Sequence, residues 1–234
     1  MINETSPRAT ARIAGALLLL TIVLGTLAQF VVAAKLIAYG NATATAANIL
    51  EHRSMFEAGF AIYLIEMACQ VAMTAFFYEL LKPAGRNLSL VVAFLSLAGC
   101  VIKAFARVFY IAPLFVLGGA AWLSSFRPEQ LRELALLLIR LNDQGAGVAL
   151  AFFGFATFLK GFLVLRSTFL PRFLGVLSLL NGLAWMSFAY PSFGFRMFAP
   201  AALLGLIGSA VWIFWLLVFG VDEERWREQA LSAS

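Results

Sequence analysis

Charged residues are scarce in this chain. Only 12% of its 234 residues are Asp, Glu, Lys or Arg, whereas 62% are hydrophobic, and the mean hydropathy is +0.92. A soluble globular domain carries about 25% charged residues. The apolar residues also run in blocks that reach the roughly 20 residues a helix needs to cross a bilayer. The composition excludes an ordinary soluble domain and predicts an integral membrane protein.

Metal ligands and catalytic motifs are also nearly absent. His52 is the sole histidine, and the two cysteines, Cys69 and Cys100, lie inside apolar blocks without a C-x-x-C spacing. Zinc and haem sites draw on several His or Cys ligands, so we expect no metal site and no cofactor. The H-E-x-x-H, G-x-S-x-G, P-loop and G-x-G-x-x-G patterns are missing. These absences weigh against an enzyme.

The basic residues sit mainly at the ends of the apolar blocks. The formal net charge is +5, but this placement is the one that the positive-inside bias of membrane proteins produces, so we expect no nucleic-acid partner. When the Lys and Arg residues near the span ends are counted, nine fall on one side of the membrane. Lys160 is one of the nine and is expected to snorkel to the surface. These are Arg8, Arg12, Lys82, Arg86, Lys160, Arg166, Arg172, Arg225 and Arg227. The other side has six, which predicts cytoplasmic N- and C-termini.

The apolar blocks predict an all-α fold with six transmembrane helices in a single domain over residues 1–234. The spans are expected at about 13–34, 55–81, 88–112, 145–165, 173–190 and 199–220. The first block is longer than a typical signal-peptide core, so it is interpreted as an uncleaved span. A stretch at about 128–141 has one charged and one apolar face but is too short to cross. We expect it to be an amphipathic surface helix before the fourth span.

A charged cluster is predicted where the second and third spans form an antiparallel hairpin. Their connection at 83–87 is short, so two residues that are equally far from it along the chain, one on each helix, lie at the same depth. Glu66 and Lys103 are such a pair and are expected to face each other. Neighbours one helical turn away share the same faces, and one acidic residue at the start of the fourth span can complete the group. These additional candidates are Gln70, Arg107, Tyr63, Tyr110 and Asp143.

Three functions are compatible with this cluster, because a charge inside the bilayer costs about 2.5–3.5 kcal/mol on insertion scales and needs a reason. The first is binding or transport of a small molecule, and two cations against Glu66 favour an anionic or carboxylate-bearing ligand unless Asp143 balances them. The second is an ion pair that only fixes helix packing. The third is an intramembrane enzyme acting on a lipid or a quinone, with Glu66 as acid or base.

Glycines mark a second hairpin, formed by the fourth and fifth spans. Gly154 and Gly161 are seven residues apart, as are Gly175 and Gly182. Gly161 and Gly175 are equally far from the turn between the two spans, and so are Gly154 and Gly182. Small residues let membrane helices approach closely, so we predict tight backbone contact at these two levels.

Several stretches resemble a bacterial family of integral membrane proteins known as domain of unknown function 4386. They are Arg12-Ile-Ala-Gly-Ala-Leu17, Leu80-Leu-Lys-Pro83, Phe152-Phe-Gly154 and residues 161–177, which carry the resemblance best. The resemblance covers most of the chain. It implies a multi-pass protein of the bacterial cytoplasmic membrane whose partner is the lipid bilayer, and it implies no activity and no catalytic residues.

Overall fold

The apolar blocks of the sequence form long helices. A computed structural model describes residues 6–232, and none of these residues lies in a β-strand. The predicted all-α fold is therefore confirmed. The helices are α1 Pro7–Leu36, α2 Ala42–Glu51, α3 Arg53–Leu81, α4 Arg86–Ile111, α5 Pro113–Leu117, α6 Pro128–Arg166, α7 Arg172–Met186, α8 Pro191–Arg196, α9 Phe198–Val218 and α10 Glu223–Ser232.

Six helical segments within the described residues are long and apolar enough to cross a membrane, built on α1, α3, α4, α6, α7 and α9. Their large apolar side chains are widely exposed, and Val101, Phe105 and Phe115 are each about two-thirds exposed. Such a surface suits lipid rather than water. The chain is therefore a multi-pass membrane protein, as predicted. The helix that carries the first predicted span begins at Pro7, because proline is well suited to the first turn of a helix.

The fourth span differs from its prediction. Residues 128–141 do not form a separate surface helix, because they are the first turns of the continuous 39-residue helix α6. The polar run from Asn142 to Gln144 lies between this stretch and the span predicted at about 145–165. None of these residues is a proline, and the side chain of Asn142 is buried and hydrogen-bonded to Arg107, so the helix passes through them. The prediction of a separate amphipathic helix is wrong.

The described chain packs as two compact units. Unit 1 contains the described parts of Met1–Ile22, Ala68–Cys100 and Gly147–Ser234, and unit 2 contains Val23–Met67 and Val101–Ala146. Each unit has an apolar core of its own. Fully buried core residues of unit 1 are Leu80, Leu163, Leu174 and Leu216. Those of unit 2 include Ile49, Phe56, Tyr110 and Ile139.

In unit 1, the C-terminal helix α10 joins the ends of several other helices. The indole N–H of Trp226 donates to the carbonyl of Leu80 at the end of α3 (2.8 Å), and Gln229 donates to the carbonyl of Arg166 at the end of α6 (3.1 Å). The backbone N–H of Arg8 at the start of α1 donates to Glu223 (3.3 Å). These contacts bring together the start of α1 and the ends of α3 and α6. An even number of spans separates these helix ends along the chain, so six membrane crossings would leave them on the same side.

The hairpin of α6 and α7, also in unit 1, is packed backbone to backbone. A Cβ atom added to Gly161 would lie 2.9 Å from the carbonyl oxygen of Gly175, and one added to Gly154 would lie 3.0 Å from that of Gly182. A Cβ on Gly182 would lie 2.5 Å from the backbone nitrogen of Phe158. Neither helix can take a side chain at these positions without moving away from the other.

This packing leads to a prediction for Gly182→Ala. The added methyl group meets backbone atoms that cannot rotate away, so we expect a loss of about 1–3 kcal/mol in stability, the usual cost of overpacking. Thermal unfolding of the protein in detergent measures it. Gly40→Ala is the matched control, because a Cβ at Gly40 meets no atom within 4 Å. Equal melting temperatures for the two variants would contradict the tight contact.

Candidate functional site

An ion pair joins two helices within unit 2. The ammonium of Lys103 on α4 donates to Glu66 Oε1 on α3 at 2.6 Å. The side chains are only 14% and 4% exposed, so the pair is shielded from solvent. Helix α1 comes close on the other side, since a Cβ on Gly25 would lie 3.3 Å from Glu66 Oε1. Each charge therefore depends on the other, because an isolated buried charge is strongly destabilising.

Arg107 lies on the same helix as Lys103, one turn further along, and has a different set of partners. Its guanidinium carbon lies 3.6 Å from the centroid of the Tyr63 ring, and its Nη1 donates to Asn142 Oδ1 at 2.9 Å. Asn142 in turn donates to Asp143 Oδ1 at 3.0 Å. Within residues 6–232 no carboxylate oxygen comes within 4 Å of Arg107. The guanidinium is thus connected to Asp143 only through the Asn142 amide.

Aromatic side chains form the rest of the cluster. The Tyr63 hydroxyl donates to Gln29 Oε1 at 3.0 Å, and its ring meets the edge of Tyr110 at 5.5 Å. Tyr110 stacks on Phe56 with ring centroids 4.4 Å apart. Gln29 belongs to a π-helical stretch of α1, Leu27–Ala33. Short π segments inside α-helices occur frequently at functional sites, because they redirect side chains that a regular helix would place elsewhere.

Tyr39, in the connection between α1 and α2, extends the cluster beyond the spans. Burial of its phenol and the nearby carboxylate of Asp143 raise the pKa of Tyr39 well above its ordinary value, although the ring is partly exposed. The hydroxyl is protonated at physiological pH, as that of an ordinary tyrosine is, and remains a hydrogen-bond donor. The carbonyl of Tyr39 accepts from Arg140 Nη2 at 2.9 Å, which ties this connection to α6.

Two buried atoms of the cluster have no hydrogen-bond partner among the described residues. They are Glu66 Oε2 and Arg107 Nε, and their residues are only 3% and 4% exposed. The large majority of buried polar side-chain atoms in proteins are paired, so each exception calls for an explanation. A carboxylate oxygen accepts and the guanidinium Nε donates. The cluster therefore has one acceptor and one donor left over for a further molecule.

The structure places six of the seven candidate residues in unit 2, namely Glu66, Lys103, Arg107, Tyr63, Tyr110 and Asp143. The seventh, Gln70, falls in unit 1, where its carbonyl accepts from the Thr74 hydroxyl. Sequence reasoning missed Gln29 and Tyr39. Gln29 had a usable signal, because it is an isolated polar residue within the apolar run of the first span.

Comparison with known proteins gives one match. A family model described as Domain of unknown function (DUF4386) matches residues 13–220, which is most of the chain. No curated protein and no solved structure matches it.

The ion pair leads to a double-mutant prediction. Glu66→Gln leaves the Lys103 ammonium without its carboxylate, and removing one partner of a buried pair typically costs about 3–5 kcal/mol. The double variant Glu66→Gln, Lys103→Met removes both charges and fills the space with an apolar chain, so we expect it to recover most of the loss. Thermal unfolding in detergent measures both of these variants and the single variant Lys103→Met. Additive losses in the double variant would show that the two side chains do not stabilise each other.

Proposed function

We propose that this chain, which belongs to the DUF4386 family, binds a small polar molecule in unit 2 that carries both a hydrogen-bond donor and an acceptor. The observation that carries the proposal is the pair of buried, unpartnered atoms, Glu66 Oε2 and Arg107 Nε. A ligand that donates to Glu66 and accepts from Arg107 satisfies both atoms.

The helical positions of the two residues suggest the length of the ligand. Glu66 is paired with Lys103, and Arg107 lies four residues further along the same helix, which corresponds to a rise of about 6 Å. The donor and the acceptor of the ligand should therefore be separated by roughly one helical turn. A carboxylate and an amine joined by a chain of three carbons cover this distance.

The charge of the cluster favours a zwitterion or a neutral amide over a simple anion. Lys103 and Arg107 are two cations, and Glu66 and Asp143 are two carboxylates, so the cluster has no formal excess of positive charge. The preference for an anion rested on Glu66 as the only carboxylate. A molecule without net charge enters such a balanced site without adding an unpaired charge to it.

A structural role is the second candidate function. It is favoured by the 2.6 Å bond between Glu66 and Lys103 and by the 2.9 Å bond between Arg107 and Asn142. Together these bonds connect α3, α4 and α6 within unit 2. In this function the charges serve to hold three helices in one arrangement, and the two unpartnered atoms take part in no binding.

A matched set of probes separates the two functions. We expect 4-aminobutanoate to raise the melting temperature of the purified protein in detergent, whereas butanoate and butylammonium, which each keep only one of the two groups, do not. Stabilisation by a ligand at one hundred times its Kd is about 2.7 kcal/mol, which corresponds to a rise of several degrees for a protein of this size. The concentration dependence of the melting temperature gives the affinity.

Two variants complete this experiment. Glu66→Gln should abolish the response to 4-aminobutanoate, and Glu57→Gln should retain it, because Glu57 lies on the same helix but forms an exposed pair with Arg53. Arg107→Lys tests the other half of the site, since it keeps the charge and removes the Nε donor. If no probe shifts the wild-type protein and Glu66→Gln only lowers stability, binding is contradicted and the structural function is supported.

We also propose that the protein lies in the bacterial cytoplasmic membrane with both termini in the cytoplasm. The hydrogen bonds of α10 to the ends of α1, α3 and α6 support placing these basic helix ends together. Lys160 is left out of the count, because its Nζ contacts the rings of Phe77 and Trp212. The remaining eight basic residues still outnumber the six on the other side.

Reporter fusions test this orientation. Green fluorescent protein attached after residue 234 should fluoresce in a bacterial host, because it folds in the cytoplasm. Alkaline phosphatase attached at the same point should be inactive, because it needs an oxidising compartment to form its disulfides. An active phosphatase fusion with a dark fluorescent fusion would reverse the orientation.

A further inference from the structure

Lys160 is a cation of unit 1 that plays no part in the unit 2 cluster. Its Nζ lies 4.8 Å from the ring centroid of Phe77 and 4.7 Å from that of Trp212. No carboxylate oxygen of residues 6–232 lies within 4 Å of it. The residue is partly exposed, and the expectation that it snorkels to the surface stays a prediction. The ammonium lies over both rings, which meet each other edge to face with centroids 5.7 Å apart.

The aromatic contacts offset only part of the cost of placing this charge in a membrane span. A cation over an aromatic ring gains less than a cation loses when it leaves water without a counter-charge. For Lys103, the carboxylate of Glu66 supplies the counter-charge. Lys160 lacks an equivalent counter-charge within the described residues, so a bound anion would supply what the protein does not.

Lys160 also lines a cavity of about 80 Å³ in unit 1. The cavity wall includes no Asp and no Glu, but it carries several polar side chains, among them Gln70, Ser96 and Thr157. No hydrogen bond to another described residue occupies these three side chains, so the two hydroxyls and the amide can donate into the cavity. The space holds only a few water-sized groups.

We propose that this cavity binds a carboxylate group. The ammonium of Lys160 supplies the positive charge, and the hydroxyls of Ser96 and Thr157 with the amide of Gln70 supply the remaining donors. The absence of acidic side chains from the wall means that nothing there repels an anion. A carboxylate can come from a small free acid or from the head of a fatty acid whose chain lies in the surrounding lipid.

Thermal unfolding of the full chain in a non-ionic detergent tests the proposal. Acetate stands for the free acid and decanoate for the fatty acid, with decanol as the uncharged match for the latter and gluconate as a carboxylate too bulky for the cavity. Total ionic strength is held constant with gluconate. We expect acetate or decanoate to raise the melting temperature, and decanol to have no effect. A response to acetate identifies a free acid as a sufficient ligand, whereas a response to decanoate alone identifies the fatty-acid head.

Three variants decide whether the response comes from this cavity. Lys160→Met should weaken the apparent affinity for the responding carboxylate at least tenfold, and Lys82→Met should leave it unchanged, because Lys82 is exposed and paired with Glu79. Thr157→Val keeps the charge and removes one donor, so it tests the site even if Lys160→Met does not fold, and we expect a loss of several-fold. Sodium chloride at the same ionic strength is the control for a non-specific salt effect. The proposal would be overturned by an equal response to chloride or by no response to either carboxylate. It would also be overturned by unchanged affinity in a folded Thr157→Val variant.

Discussion

The cost of an unpaired charge away from water is the constraint on which unit 2 depends. Glu66 meets Lys103 at 2.6 Å, and Arg107 reaches Asp143 by way of Asn142. The bonds of Lys103 with Glu66 and of Arg107 with Asn142 join residues of different helices, so satisfying these charges also fixes the arrangement of α3, α4 and α6. The two atoms of the cluster that remain unpaired, Glu66 Oε2 and Arg107 Nε, stand out for the same reason, because most buried polar side-chain atoms in proteins are paired.

Unit 1 uses a different means to hold helices together. Lipid is as apolar as the side chains that face it, so burial of apolar surface does little to select one helix contact over another. In α6 and α7 the selection comes from shape, since Gly161 lies against the backbone of Gly175, and Gly154 against that of Gly182. A hairpin fixed by glycine tolerates no added side chain, whereas a hairpin fixed by charge tolerates only changes that keep or remove both partners.

The contacts that could be predicted from the sequence are those within tight hairpins. A short turn fixes the register of the two helices, so residues equally far from the turn lie side by side. This places Glu66 beside Lys103 and Gly161 beside Gly175. The contacts of Arg107 with Asn142 and of Tyr63 with Gln29 join helices that no short turn connects, and their relative rotation depends on packing that the sequence does not display. The continuity of α6 was missed for the same reason. Its polar residues resemble a helix boundary until the partner of Asn142 is known. The role of the cluster in binding stays a prediction.

Lys103, Arg107 and Lys160 differ in how completely their charges are paired. We rank them as functional candidates by this difference, with the least completely paired cations first. Lys103 has a carboxylate at 2.6 Å, which is the arrangement a purely structural charge requires. Arg107 has an aromatic face and an amide but leaves its Nε unused. Lys160 has two aromatic faces and borders a cavity without any acidic group. Structure alone gives no reason to leave a membrane cation incompletely paired, whereas binding does, because a ligand can contribute affinity only through groups that the protein has left unsatisfied. The incomplete pairing of Arg107 and Lys160 therefore favours these two positions, over the carboxylate-paired Lys103, as the binding positions that we propose.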